Sequence, residues 1–439
     1  MTQLSRIQLT QYGFLAAPVA FAGYPLYVLA PDFYAVHQGV SLSVLGMVLL
    51  GLRIFDAIQD PFIGQVSDQL SGKTLPLMLA SALFLVASIY TLFNPIGAYA
   101  VAWFAASMLV AVTAYSVLSI NLNTLGALWT NDRHEQTRIA GTREAYGLVG
   151  LLFAVTLPGI LEKYLPPGQV FTWFSVVLSG LMIFAMVAFS RWFSQRHAFI
   201  HPENTPSQKL SDTLRLLPTQ TRKLFMVYAI SVLASSIPAV LVLFFIRDRL
   251  NSEAYTGLFL LLYFLSGALT MPVWKNLSER YGKPLAWLLS MLLAVTGFIW
   301  AFFLGGGDVW QYCFVCVASG TALGADLALP PSILADHVYE HRSEATAATQ
   351  FSMLTLLAKA GLAMGSAIAL PLLDLAGFVP AAINDKVALA GLSIAYALIP
   401  CLIKLAAAYL LYRFFITSQR TNRHESSAKN HLSGSRHNA

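Results

Sequence analysis

Apolar runs near the length of a bilayer recur from one end of the chain to the other, each closed by a short polar stretch. They predict helices over 9–32, 41–66, 75–95, 98–128, 138–161, 170–194, 219–246, 253–275, 284–305, 309–335, 347–374 and 388–414. A helix needs about 20 apolar residues to cross the hydrocarbon core, and each run approaches or exceeds that. The longest polar connector, at about 195–218, splits the twelve into two groups of six. The expected organisation is therefore an N-terminal six-helix bundle over 1–194, a cytoplasmic linker over 195–218, a C-terminal bundle over 219–416 and a disordered tail over 417–439.

Composition agrees with lipid as the solvent. The chain has 439 residues, of which 57% are hydrophobic and 11% charged, with a mean hydropathy of +0.64. Soluble domains carry roughly 25% charged residues, so this chain cannot clothe a globular surface. The net charge of +6 does not point to nucleic acid, because the positive residues sit in loops and tail. With both termini placed in the cytoplasm, about 20 of the 27 Lys and Arg fall inside; Lys163, Arg247, Arg249 and Lys386 fall outside. The polar start at Met1–Thr10 and the long apolar stretch after it do not resemble a signal peptide. Three cysteines make no disulfide framework. Cys313 and Cys316 lie inside an apolar run, which favours packing over redox or metal chemistry. His424, His431 and His437 are scattered in the tail and suggest no specific site.

An internal repeat supports two halves. Pro61, Asp68 and Gly72-Lys73 follow the second helix; Pro272, Glu279-Arg280 and Gly282-Lys283 follow the eighth. Proline and acid keep the same spacing, and glycine and base follow within about one residue of register. A tight turn needs the glycine, while the charges can meet helix ends or neighbouring loops. Asp68, Lys73, Glu279, Arg280 and Lys283 are thus candidate gating residues. The pattern resembles the major facilitator superfamily, whose loop between helices 2 and 3 runs Gly-x-x-x-Asp-(Arg/Lys)-x-Gly-(Arg/Lys). Gly64 to Lys73 is one residue longer and lacks the base after Asp68, a departure from the usual drug-efflux form. The resemblance implies an all-α membrane fold of two pseudo-symmetric six-helix bundles.

The chemistry concentrates in the second helix. Arg53, Asp56 and Asp60 are spaced i, i+3, i+7 and share one helix face. Each charge at mid-membrane costs about 2.5–3.5 kcal/mol on insertion scales, so three unpaired would cost roughly 8–10 kcal/mol. The face must line an aqueous cavity, be paired, or bind an ion. Two carboxylates against one guanidinium leave about one negative charge, which a proton or Na⁺ would complement, and Gln59 adds an amide oxygen of the kind hard cations accept. A salt-bridge cluster that locks one conformation is the plainer alternative.

The string Arg53-x-x-Asp56-Ala57-x-x-Asp60-Pro61-x-x-Gly64 resembles the glycoside–pentoside–hexuronide:cation symporter family. Tyr12-Gly13-Phe14, Arg138-Ile139-Ala140, Arg143-Glu144-Ala145, Ala335-Asp336 and Lys359 with Gly361 extend the resemblance over most of 9–415. It implies Asp56 and Asp60 as cation ligands, with Gln59 and the hydroxyls of Ser116 or Ser119 beside them, and a conformational role for Arg53. It also places Arg143 and Lys359 near the central cavity. Gln59 replaces an Asn of the melibiose-carrying members, which leaves Na⁺ and H⁺ both open. The acids those members use to grip sugar are missing: the aligned positions are about Val19-Ala20 and Ser119, and their stacking Trp aligns near Leu327.

Asp326, deep in the tenth helix before Pro330 and Pro331, is an intramembrane acid beside an expected kink or break. It is either a functional acid or the partner of Lys359, and the two are compatible. Lys404 reads as a snorkelling or lipid-facing charge. Tyr115, Ser116, Ser119, Asn121 and Asn123 can line a pathway or join helices. Asn123 and Tyr146 complete the candidate substrate set with Arg143, Lys359 and Asp326.

The expected function is alternating-access symport, in a bacterial inner membrane, of a small solute with Na⁺ or H⁺. No other cofactor, no nucleic acid and no partner beyond membrane lipids is expected, and the chain is read as a monomer. A sugar or sugar acid follows from the resemblance. A lysophospholipid or other amphiphile is the alternative from the residues, and a non-transporting sensor is a third reading. No nucleophile motif, zinc spacing or phosphate loop suggests an enzyme.

Overall fold

The computed structural model describes residues 4–36, 38–40, 42–95, 99–166, 169–195, 210–379 and 384–417. Most of the expected linker, and the tail with His424, His431 and His437, lie outside the described residues; Leu210–Leu216 within the linker is a short helix.

The described chain is all-helical. α1 is assembled from Arg6–Gly13, Ala16–Tyr24, a wider π turn at Pro25–Leu29, and Ala30–Val36. α2 is Leu42–Gln69, α3 Thr74–Leu92, α4 Ala100–Leu128, α5 Arg133–Leu161 and α6 Val170–Ser194. The second half has α7 Thr219–Phe244, α8 Thr256–Tyr281, α9 Lys283–Phe298, α10 Val309–Glu340 and α11 Ala347–Leu375. α12 joins Lys386–Ser393 and Ile399–Leu411 through a π turn at Ile394–Leu398. Among the described residues, ten helices are long and apolar enough to cross a membrane. The other two segments are α1, which is interrupted, and α2, which carries Arg53, Asp56, Asp60 and Asp68.

Each half has its own core. Phe21, Phe104, Phe174 and Trp192 are fully buried in the first; Trp287, Leu334, Phe245 and Leu392 are fully buried in the second. Between them lies a small apolar cluster of Leu148, Met271 and Ala328. The halves meet symmetrically: α2 packs on α11, and α5 packs on α8 and α10.

Two expectations need correction. α5 begins at Arg133 rather than 138, because Asp132 caps it and accepts from the N–H groups of His134 (2.8 Å) and Glu135 (3.4 Å). α10 does not break at Pro330-Pro331 but continues to Glu340. Its turns there are buried against neighbouring helices, with Leu329, Pro330, Ser332 and Ile333 all buried, so packing holds a helix that has lost two backbone donors.

The halves are fastened together at the end that carries both described termini. The carboxylate of Asp68 accepts from the N–H groups of Ala348 (2.8 Å) and Thr349 (2.9 Å). Arg133 pairs with Glu340, and the Thr137 and Ser332 hydroxyls lie 3.0 Å apart. At Gly64 an added Cβ would stand 2.6 Å from Ser352 Oγ and 2.8 Å from the Ala348 carbonyl. Only glycine lets α2 and α11 approach so closely there.

Candidate functional site

α2 carries Asp56, Gln59 and Asp60 into the interface between the halves, where all three are buried. Their spacing puts them on successive turns of one face. Opposite them α11 brings Lys359. Its ammonium lies 2.7 Å from Asp56 Oδ1 and 2.8 Å from each carboxylate oxygen of Asp60. It also donates to Ser116 Oγ of α4 at 2.8 Å and approaches the Asp56 carbonyl at 3.2 Å. One cation from the second half therefore sits between two anions of the first. At this separation and in poor solvent the attraction far exceeds its value in water.

Other groups hold Asp56 in place. The Gln59 amide nitrogen donates to Asp56 Oδ1 at 3.0 Å, and the Ser116 hydroxyl stands 3.3 Å from the same atom. The Gln59 carbonyl oxygen accepts from Thr113 Oγ1 of α4 at 2.8 Å. Thr113 was not singled out in the sequence, although it precedes Ser116 by three residues and so shares its helix face. Ser119 lies one turn further along, and its backbone carbonyl accepts from the Asn123 side chain at 2.9 Å.

Arg53 is exposed, unlike Asp56 and Asp60. It shares their face but stands about 4.5 Å nearer the unfastened end of α2 than Asp56 does. Lys359, not Arg53, compensates the two acids.

On α5, Arg143 is buried and grips its neighbour Glu144: Nε and Nη2 lie 3.0 and 2.5 Å from Glu144 Oε1. The Tyr146 hydroxyl lies 3.3 Å from Thr10 Oγ1 and its ring packs edge-on against Phe14, so it joins α5 to α1. Asn123 borders a small void beside Arg143 and Pro331.

Asp326 is brought to Lys404 and not to Lys359. The Lys404 ammonium pairs with Asp326 Oδ2 and donates to Ser231 Oγ (2.8 Å) and Ser235 Oγ (3.2 Å) of α7. Trp287 of α9 donates to Asp326 Oδ1 at 2.8 Å. Lys404 is thus buried in the second bundle rather than facing lipid. This closed network ends an apolar cavity of about 230 Å³ whose lining includes Tyr263, Tyr312, Cys316, Tyr396 and Lys404. Its lining residues all belong to the second half. Cys313, Cys316 and Cys401 are buried free thiols.

The repeated loops act differently in the two halves. Asp68 caps α11 across the interface, whereas Glu279 pairs with Lys275 of its own helix at 3.1 Å. α5 is capped by Asp132 of its own half, whereas α11 has no side-chain cap from its own half and takes Asp68 from the opposite one. Lys283 is buried and pairs with Asp336 at 2.7 Å. Lys73 is exposed, and Arg280 lies over the Tyr281 ring at 5.4 Å.

The chain is 24% identical over 276 residues to the isoprimeverose transporter of Lactiplantibacillus pentosus, a stretch covering 60% of this chain and 57% of that one. It is 25% identical over 431 residues to the glucuronide carrier protein homolog of Escherichia coli K12, covering 93% of this chain and 92% of that protein. A major facilitator superfamily transporter, FucP, solved in the outward conformation, superposes with a TM-score of 0.65 at 12% identity, covering 93% of this chain and 98% of that one. A bacterial homologue of the iron transporter ferroportin, also outward-facing, superposes with a TM-score of 0.68 at 16% identity, covering 92% and 100%. The family model for MFS/sugar transport proteins matches residues 11–418, and the chain belongs to that family of multi-pass membrane transporters, among the glycoside–pentoside–hexuronide symporters, and is not an enzyme.

Proposed function

We propose that this chain couples Na⁺ or H⁺ to the movement of a sugar or sugar acid by alternating access, as a monomer in a bacterial inner membrane with both termini in the cytoplasm. The observation that carries the reading is Lys359 held between Asp56 and Asp60. Two buried acids against one base leave one negative charge at the junction of the halves, and a coupling cation is its natural complement. Carbohydrate cargo is supported by the glucuronide carrier homolog and the isoprimeverose transporter.

The geometry suggests how coupling would work. Lys359 belongs to the second half and its partners to the first, so their bonds help hold α11 against α2. A cation entering between Asp56 and Asp60 competes with the ammonium for the same oxygens. Its binding loosens the tie, and solute binding in the cavity then sets which face opens. Such coupling is reciprocal: the cation tightens solute binding by the same factor as the solute tightens cation binding. With the termini inside, the fastened end is the cytoplasmic end, and the conformation is the outward-facing one.

An amphiphilic cargo draws support from the apolar cavity of the second bundle. That cavity takes no lining residue from α11 or from the first half, so it is set apart from the interface, and the carbohydrate reading is favoured.

The test is uptake into proteoliposomes under imposed Na⁺ or H⁺ gradients. Gradient-driven accumulation should be lost in Asp56→Asn and Asp60→Asn while equilibrium exchange of solute persists. Full gradient-driven uptake in both variants would remove the cation-site assignment.

A further inference from the structure

Away from the cation cluster, a groove of about 620 Å³ is walled by the start of α1, by α5 and by α8. None of its lining residues comes from α2, α4, α7, α10 or α11, so it shares nothing with Asp56, Asp60 and Lys359. Its α5 wall is the outer one: Val149 is 53% exposed there, whereas Arg143 on another face of the helix is buried. The groove therefore lies on the lateral seam between the halves, where the bundle meets lipid.

The lining is graded in polarity. Arg6, Arg138 and Lys275 stand at the end nearest the termini. Thr142 and Tyr146 come next along α5, and Val149 with Ala268 of α8 form the apolar far end. From Arg138 to Val149 the helix rises about 16 Å. Half of a hydrocarbon core is about 15 Å. Charge, then hydroxyls, then apolar surface over the depth of one leaflet is the order a phospholipid presents.

The charge at the open end is positive. Arg138 meets Glu135 at 3.3 Å and donates to the Leu4 carbonyl at 3.0 Å, and Lys275 meets Glu279 at 3.1 Å. Arg6 is exposed and makes no ion pair with another described residue. Three bases against two acids leave one positive charge. Both pairs are partly exposed, Lys275 and Glu279 at 31% and 32%, and pairs in such places are weak enough to be exchanged for a phosphate. Basic pockets between helices on the cytoplasmic side suit anionic headgroups.

We propose that this groove is a binding site for an anionic phospholipid of the cytoplasmic leaflet, and that its occupant favours the conformation closed at the termini end. Phosphate would meet Arg6, Arg138 and Lys275, and an acyl chain would lie along Val149 and Ala268. One wall belongs to the first half and the other to the second, so opening at this end parts them and divides the site. A ligand that binds one state better shifts the population toward it. The site lies outside the proposed transport path, and its test does not depend on which solute or cation is carried.

Native mass spectrometry of the purified full chain, given phosphatidylglycerol or phosphatidylcholine of the same acyl chains, reads the binding. Phosphatidylglycerol should be retained at least ten-fold more strongly. Arg6→Gln with Lys275→Gln should remove most of that preference. Arg191→Gln with Arg413→Gln, which removes two exposed bases outside the groove, should leave it within two-fold. Equal retention of the two lipids would overturn the proposal, as would an equal loss in both double variants. Competition by free glycerol phosphate as strong as by the lipid would show a plain anion site, and a dimer mass in place of bound lipid would show that a second copy covers the face; either overturns it. In vesicles, adding phosphatidylglycerol to phosphatidylcholine should slow maleimide labelling of a cysteine near Gly64 at least three-fold, and the Arg6→Gln, Lys275→Gln variant should not respond. Labelling that ignores phosphatidylglycerol in the unaltered background would overturn the conformational preference.

Discussion

Asp68 of the first half accepts both the backbone N–H (2.9 Å) and the hydroxyl (2.6 Å) of Thr349 in the second. Together with its bond to the Ala348 N–H, this makes it the cap that α11 lacks within its own half. Losing a capping acid typically costs about 1 kcal/mol, and hydrogen bonds to a charged group are worth about 1.5–3 kcal/mol. The bond forms only when this end is closed, so its loss falls on one of the two transport states. Asp68→Asn should shift the conformational equilibrium at least ten-fold toward opening at the termini end. A cysteine introduced at an interface position near Gly64 should then label faster with a water-soluble maleimide. Unchanged labelling would reduce Asp68 to a helix cap without a gating role.

Lys359 gives a second prediction. Removing one partner of a buried ion pair costs about 3–5 kcal/mol, because the remaining charge is left unmatched. Lys359→Met leaves Asp56 and Asp60 facing each other, and it should lower thermal stability more than Lys359→Met combined with Asp60→Asn. The single variant should also depend more steeply on added Na⁺ or on acid for its stability, since an external cation is then the available complement. Equal stability in the single and double variants would show that Lys359 does not compensate these acids.

What the sequence discloses depends on whether a feature is local. Asp56 and Asp60 stand out because a carboxylate in an apolar run is costly wherever it points. Their spacing and the string around them suffice to mark a site, and the helix count follows from run length. The pairing partners are not local. Lys359 is about 300 residues from the acids it joins, and a membrane helix that is apolar all round gives no stripe from which to read its rotation. From sequence, Asp326 can therefore be read as a functional acid or as the partner of Lys359, and Lys404 as a lipid-facing charge; the bundle pairs Asp326 with Lys404 instead.

The Asp326–Lys404 pair carries the last prediction, which separates structure from transport. The Lys404 ammonium has three partners, Asp326, Ser231 and Ser235, and Asp326 has Trp287 as well. Both groups are saturated within one bundle, so the pair can remain intact while the halves move as bodies. Lys404→Met alone should lower stability by about 3–5 kcal/mol, whereas replacing a buried pair by apolar groups of similar volume is often neutral or stabilising. Asp326→Leu with Lys404→Met should therefore recover most of the thermal stability lost in the single variant. If the pair only supports the bundle, the recovered double variant should also take up solute at close to the original rate. A double variant that is stable yet inactive would place Asp326 in the transport cycle and make its link to Lys404 part of how the second half responds to solute.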